Sequence, residues 1–159
     1  MKKRFVSLSL AVLMTFALMT TAFAVSYSKT VNLGLFLDAG ASGWFDPVST
    51  TFSAPTGATV DTITIDPGTA TYNSNNKNFL GTVRASTLRI IAPDGTTKDI
   101  SWNDKGMTIT EYEGVDARGT WTLRLYGTNY TSATGDYMSD LLRAGSVSYK
   151  NLKMTITCQ

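Results

Sequence analysis

Strict alternation of apolar and polar residues is the feature that most constrains this fold, and it is clearest in RGTWTLRLYG, Arg118 to Gly127. Trp121, Leu123 and Leu125 alternate there with threonine, arginine and tyrosine. Successive side chains of a β-strand point to opposite faces, so this pattern is typical of a strand with one buried face. We therefore expect the three apolar residues to lie in a core, where no chemistry needs them.

Further segments with the same period predict an all-β fold, an antiparallel β-sandwich of jelly-roll, galactose-binding-like type. A Pro-Asp-Gly-Thr turn at residues 93–96 predicts a hairpin. In the final segment, residues 147–157, the apolar residues change from odd to even numbers, which predicts a β-bulge near Lys150 and Asn151. The other predicted strand segments are residues 31–37, 62–65, 88–91, 98–102 and 107–112.

One segment departs from the strand pattern and predicts a short helix over residues 137–143. Asp136 would be its N-cap and Gly145 its C-terminal stop. We expect this helix to cover an open end of the sandwich, and the alternative is a functional loop within residues 128–144. Its apolar i,i+4 pairs would be Tyr137 with Leu141 and Met138 with Leu142.

The first 24 residues have the features of a cleaved signal peptide. A basic start, MKKR, precedes a mostly apolar run that ends in Ala22-Phe23-Ala24. We expect a secreted single domain, Val25 to Gln159, and a membrane anchor is the alternative. No later segment approaches 18 apolar residues, so no membrane span is expected after removal of the signal.

The charge balance argues against nucleic acid as a partner. Three of the fourteen basic residues and none of the twelve acidic ones lie in residues 1–24, which leaves eleven against twelve and a net charge of −1. The basic character of the whole chain therefore belongs largely to its first residues. A mature chain of this charge gives no support for nucleic acid or an acidic lipid surface as partner.

The chain contains one cysteine and no histidine. The absence of histidine excludes Ser-His-Asp and Cys-His catalysis and most zinc sites, so we expect a non-enzyme. Cys158 cannot form an internal disulfide; we expect a free thiol at a frayed terminus, and a disulfide between chains is the alternative. Glu111 and Glu113 would share a face if their strand continued, as a glycosidase pair requires, although two solvated acids at the rim are favoured.

RGTWTLRLYG and the later GSVSYKNLKMTI resemble the C-terminal half of the P domain (Homo B domain) of subtilisin-like proprotein convertases. LRIIAPDGTTKDI, residues 88–100, is similar to the hairpin of that family. The family has an aspartate where the first strand ends, whereas here the strand is expected to end at Gly127. The resemblance implies a non-catalytic sandwich that accompanies an extracellular protein, with a protease as one candidate partner.

Two kinds of binding site remain as hypotheses. Calcium prefers oxygen ligands from loops, and the resemblance implies that some relatives bind it; scattered aspartates that only stabilise turns are the favoured alternative. Exposed aromatic side chains can stack on sugar rings or anchor a protein partner, although burial is favoured for the Trp44-Phe45 loop. The candidate calcium ligands are Asp94, Asp136 and Asp140, and the candidate binding aromatics are Trp44, Trp102, Tyr126 and Tyr130.

The sequence thus predicts a secreted, non-catalytic binding or accessory module for an extracellular protein or surface. The alternative is a carbohydrate-binding module, and a third hypothesis is a small glycoside-active enzyme that uses Glu111 and Glu113.

Overall fold

The computed structural model describes residues 24–159 and shows two antiparallel β-sheets packed face to face, which confirms the all-β sandwich. The predicted signal peptide lies outside the described residues except for Ala24. One sheet contains β1 (Val25–Leu37), β4 (Val60–Asp66), β5 (Thr69–Ser74), β8 (Met107–Ile109) and β10 (Gly145–Cys158). The other contains β2 (Ser42–Trp44), β3 (Val48–Phe52), β6 (Val83–Ile91), β7 (Thr97–Ser101) and β9 (Gly119–Asn129).

The chain alternates between the two sheets, and each sheet is organised around one long strand. In the first sheet β10 pairs with β1 along one side and with β5 and then β4 along the other. In the second sheet β9 pairs with β2 and β3 on one side and with β6 on the other. These two central strands are the segments whose alternation and phase change are most distinctive in the sequence.

Within the described residues, helical structure is confined to a 3₁₀ turn, Lys77–Phe79, and one helix, α1, Tyr137–Arg143. The bounds of α1 are those predicted, and Asp136 is its N-cap. Within residues 24–159 no helix has the length and apolar character needed to cross a membrane.

The inner face of β9 lies at the centre of the core, as its alternation predicts. Trp121, Leu123 and Leu125 are buried, whereas Thr122 and Arg124 between them are partly exposed. The indole N–H of Trp121 donates to the Ala117 carbonyl at 3.1 Å, so burial leaves no polar atom of that ring without a partner. Each such side chain contributes roughly 1.5–3 kcal/mol through removal of apolar surface from water.

The predicted bulge in β10 is confirmed. Leu152 pairs with Val31, but the next pair is Tyr149 with Leu33, and Asn151 has a φ of 61°. The extra residue shifts the register by one, so Tyr149 and Leu152 both point into the core despite their different parity.

The prediction that the strand containing Trp121 ends at Gly127 is wrong, because this strand, β9, continues to Asn129. A Cβ atom on Gly127 would lie 2.3 Å from the Arg84 carbonyl oxygen and 2.3 Å from Leu35 Cδ2. Glycine at this position therefore allows close approach of β6 and the facing β1, and it does not terminate the strand.

Two residues near strand ends are buried against expectation. Alternation through residues 107–112 places Tyr112 on the polar face of that segment, but β8 ends at Ile109 and the following turn directs Tyr112 into the core, where it is fully buried. The C-terminal end that contains Cys158 is not frayed. Cys158 is 4% exposed, and its register partners on the neighbouring strands of the sheet are Val25 and Val60. A residue close to the C-terminus is buried here because β10 reaches almost to the end of the chain.

Candidate functional site

One end of the sandwich carries most of the exposed large apolar side chains in the described chain. Six of the eight such residues lie there, on α1, on the β5–β6 connection and just after β9. We call this set the apolar pole. Its members are Leu80, Tyr130, Tyr137, Met138, Leu141 and Leu142.

Helix α1 presents its apolar face to solvent and its polar face to the protein. Tyr137 is 76% exposed, Met138 61% and Leu142 48%, and no residue of the helix is buried. Asp140 and Arg143, on the other face, are partly buried. This polarity is the reverse of that of an ordinary surface helix, whose apolar face packs against the protein.

The acidic side chains near α1 hold its N-terminal turn in place. Asp136 accepts a hydrogen bond from the Ser139 backbone N–H at 2.8 Å, and Asp140 accepts from the Thr134 N–H at 2.6 Å and the Gly135 N–H at 3.1 Å. These backbone donors lower the pKa of both carboxyl groups, because they stabilise the ionised form. The carboxylates are thus engaged with the protein itself.

The C-terminal end of α1 is fixed by side chains from other parts of the chain. The amide of Asn75 donates to the Leu141 carbonyl at 2.9 Å, and that of the buried Asn129 donates to the carbonyls of Arg143 at 3.0 Å and Leu37 at 3.2 Å. The Asn129 amide thereby satisfies the Arg143 carbonyl, which has no partner within the helix, and ties the helix to β1 through Leu37. The apolar face is therefore presented on a fixed support.

A shallow cavity of about 400 Å³ lies between α1 and the turn that follows β1. It combines carboxylates with apolar surface next to the helix, so the apolar pole is not flat. The lining residues are Asp38, Ala39, Gly135, Tyr137, Asp140 and Leu141.

A second candidate site lies on the outer face of the second sheet, where the structure brings Trp44 and Tyr126 together. Trp44 belongs to strand β2 and not to a loop as expected; its ring centroid is 5.2 Å from that of Tyr126. The guanidinium carbons of Arg89 and Arg124 lie 4.2 and 5.8 Å from the Trp44 ring centroid. We call these four residues the arginine–tryptophan patch. The sequence predicted its two aromatic residues as binding residues but neither of its arginines.

The two arginines of this patch differ in their partners. Arg89 forms a bidentate pair with Asp99, with N–O distances of 2.6 and 2.7 Å, and this hydrogen bonding lowers the pKa of Asp99. Arg124 donates through Nε to the Phe45 carbonyl, and within residues 24–159 no carboxylate pairs with it. The patch therefore retains one guanidinium group without an anionic partner.

The other predicted aromatic residues are not part of this patch. Trp102 is partly buried, and its indole N–H donates to Asp104 at 2.7 Å and to the Tyr149 hydroxyl at 3.1 Å. Burial and the Asp104 carboxylate raise the pKa of Tyr149. Tyr130 is 69% exposed and belongs to the apolar pole.

The three predicted calcium ligands do not form one group. Asp94 lies in the β6–β7 turn, where it accepts hydrogen bonds from the backbone N–H and hydroxyl of Thr96 at 2.8 and 3.0 Å. Asp136 and Asp140 lie at the N-terminus of α1 on a different connection. Across the described part of the chain no group of three or more candidate metal ligands is found. Calcium binding stays a prediction.

The premise that Glu111 and Glu113 share a strand face is wrong. The chain turns after Ile109, and the Glu113 N–H donates to the Thr110 carbonyl at 3.0 Å to close that turn. Both glutamates are exposed. Their position at a solvated turn agrees with the favoured alternative of acids at the rim.

Comparisons with known proteins give weak likenesses of fold. No family model matches the chain, and a search of curated proteins finds no match. Among solved structures, FlhE is 13% identical, with 86% of this chain and 96% of FlhE covered and a TM-score of 0.42. The resemblance to the P domain therefore stays a prediction.

Two further solved structures are larger proteins. The complex of an Aeromonas sobria serine protease with the chaperone ORF2 is 15% identical over 94% of this chain, and the serine protease of Aeromonas sobria is 13% identical over 92%. This chain spans 29% of the matched chain in both cases, and the TM-scores are 0.47 and 0.40. Likenesses at this level do not bear on function.

Proposed function

We propose that this chain is a secreted, non-catalytic accessory module that binds an extracellular protein through the apolar pole. The observation that carries the proposal is the reversed polarity of α1, whose Tyr137, Met138 and Leu142 face solvent. A cluster of exposed large apolar side chains at one end of a domain is typical of an interaction site. The partner would receive the helix in an apolar groove, as in other helix-in-groove complexes.

Charge at the pole favours a protein partner over a lipid surface. The carboxylates of Asp136 and Asp140 are bound to backbone N–H groups, and Arg143 donates to the Ser132 carbonyl at 3.0 Å. The basic side chains near the pole are matched in number by acidic ones, Lys77, Arg84 and Arg143 against Asp38, Asp136 and Asp140, so no surplus of positive charge surrounds the apolar residues, as an anionic membrane would require. The occupant that fits is a weakly charged, apolar protein surface.

The non-catalytic assignment is supported by the sequence and by the turn that follows β8. A chain without histidine lacks the base of the common hydrolase triads. Glu111 and Glu113 are solvated at a turn. The resemblance to P domains, which accompany secreted proteases, supports an extracellular protease as the first partner to test.

The test uses a charge placed on the apolar pole. Leu142→Lys and Met138→Lys introduce a cation at exposed positions, where folding tolerates it, and Thr64→Lys makes a comparable change on the exposed outer face of the first sheet. The partner is identified by crosslinking in culture medium, purified, and titrated against each variant by biolayer interferometry. We expect the affinity to fall at least ~10-fold for the α1 variants, as for a central contact residue, and to be unchanged for Thr64→Lys.

Three outcomes would overturn the proposal. One is unchanged affinity in both α1 variants. Another is a concentration-dependent dimer, seen by light scattering, that Leu142→Lys abolishes, because the occupant would then be a second copy of this chain. The third is flotation with neutral phosphatidylcholine vesicles that Leu142→Lys prevents, which would assign the pole to a lipid surface.

A further inference from the structure

The outer face of the second sheet carries two arginines directly opposite each other, and only one of them has an acidic partner within the described residues. Arg89 on β6 and Arg124 on β9 are direct cross-strand partners in the register. Like charges directly opposite each other destabilise a sheet. Asp99 neutralises Arg89, but no carboxylate in the described chain neutralises Arg124. An external anion would complete this arrangement.

The guanidinium of Arg124 is held in a fixed position with its terminal groups available. Its Nε donates to the Phe45 carbonyl, and the Phe45 N–H donates to the Leu125 carbonyl at 2.9 Å, so the contact lies within the β2–β9 pairing. None of the hydrogen bonds within residues 24–159 uses its Nη1 or Nη2 groups. Two N–H groups of a planar fork match the two oxygens of a carboxylate or sulfate group.

The surroundings of Arg124 fit a saccharide better than an isolated ion. Tyr126 lies two residues along β9 from Arg124, and Trp44 on β2 is the register partner of Tyr126. An aromatic ring packs well against the apolar C–H face of a sugar. Hydroxyl groups occupy the neighbouring rows of the same face, where they can bond to sugar hydroxyls. These hydroxyl pairs are Ser42 with Thr128, Ser49 with Thr122, and Thr51 with Thr120.

We propose that the arginine–tryptophan patch binds an acidic polysaccharide, with Arg124 pairing with its carboxylate or sulfate group and with Trp44 and Tyr126 packing against its sugar rings. This surface is separate from the apolar pole and does not depend on the function proposed for it. A module with both surfaces would attach a protein partner to an acidic glycan matrix.

The test is a titration of the purified protein by calorimetry against polygalacturonate, heparin and dextran, which offer carboxylates, sulfates and no anion, respectively. Arg124→Gln removes the unpaired guanidinium, Arg124→Lys keeps its charge without the fork, and Arg118→Gln is the control because that residue is an exposed arginine in the β8–β9 connection. We expect binding to polygalacturonate, heparin or both, weakened roughly tenfold by Arg124→Gln, less by Arg124→Lys, and not by Arg118→Gln.

Asp99→Asn adds a test in the opposite direction, since it frees Arg89 from its acidic partner. Acidic polysaccharides should then bind at least as tightly as before, and weaker binding would overturn the proposal. Binding to dextran that equals binding to the acidic polymers, or no binding to any acidic polymer, would also overturn it. A parallel titration with duplex DNA that shows tighter binding than the polysaccharides would do the same. Leu142→Lys should leave polysaccharide binding unchanged, so failure at the apolar pole is distinguishable from failure here.

Discussion

Each of the three tryptophans lies against a tyrosine, but the pairs differ in their surroundings. The first pair is fully buried. The second is half-buried, since its tyrosine is buried and its tryptophan partly exposed, and the third lies on the outer face of the second sheet with both rings partly exposed. A similar contact between rings therefore packs inside the fold in the first two pairs and lies on a partly exposed surface in the third. The pairs are Trp121 with Tyr112, Trp102 with Tyr149, and Trp44 with Tyr126, with centroids 5.3, 4.7 and 5.2 Å apart.

Hydrogen bonding separates the pairs more sharply than distance. The Tyr112 hydroxyl donates to the Ile90 carbonyl and accepts from the Lys98 N–H at 3.0 Å, and the Tyr149 hydroxyl donates to Asp104 at 2.8 Å. By contrast, no hydrogen bond between described residues uses the Tyr126 hydroxyl. Polar groups that the fold does not engage remain available to a ligand.

The largest effect on stability is expected at the fully buried pair. Trp121→Ala removes a side chain at the centre of β9 and leaves a cavity, so the free energy of unfolding should fall by about 3–5 kcal/mol. Urea denaturation followed by circular dichroism measures this change. If the variant does not fold, Trp121→Phe tests the same site with a smaller cavity. A loss of less than about 1 kcal/mol in Trp121→Ala would contradict the central role of this pair.

Alkaline pH should destabilise the protein through the two internal tyrosines. Burial raises the pKa of Tyr112 to about 12, so above pH 10 the unfolded chain releases this proton while the folded chain retains it. Stability is therefore complete below about pH 10 and is lost as the pH rises towards 12, by roughly 2–3 kcal/mol for Tyr112 alone. Urea titrations from pH 9 to 11.5 measure the slope. Tyr112→Phe should reduce this slope, and a slope unchanged in that variant would contradict the assignment.

A smaller loss is expected at the half-buried pair. Tyr149→Phe removes the hydroxyl that binds Asp104, but the Trp102 N–H keeps its own bond to Asp104 at 2.7 Å. Because no buried donor is left without a partner, the free energy of unfolding should fall by only about 1 kcal/mol. Thermal and urea unfolding at pH 7 check this value. A loss as large as that of Trp121→Ala would show that the hydroxyl network, and not ring packing, stabilises this region.

The sequence predicted local structure well where a regular period or a cap determines it. Alternation identified the inner face of β9, the change of parity identified the bulge beside Asn151, and the cap at Asp136 identified α1. Each of these signals depends on neighbours in the chain. Local pattern and tertiary packing agree at these positions, as expected of a foldable sequence.

Features that depend on contacts between distant segments were missed. The sequence contains the apolar pairs of α1, but the helix is held by Asn75 in the β5–β6 connection and by Asn129 at the end of β9, and these contacts fix the direction in which the pairs face. Likewise, alternation does not show that Arg89 and Arg124 meet over Trp44, because this needs the register of three strands. Tyr112 is buried because the chain turns after β8, whereas the alternating pattern predicts that the strand continues through residue 112.

The smallest effect is expected at the outer pair, and it provides the sharpest comparison with Tyr149→Phe. Tyr126→Phe removes the same hydroxyl group from a ring that stacks against the same kind of partner, but here the hydroxyl has no bond within the described chain. The free energy of unfolding should change by less than about 0.5 kcal/mol, as for other surface substitutions. Parallel urea titrations of the two Tyr→Phe variants measure the difference directly. If the free energy of unfolding fell equally in both variants, the Tyr126 hydroxyl would stabilise the fold as the Tyr149 hydroxyl does. The outer pair would then not differ from the internal pairs.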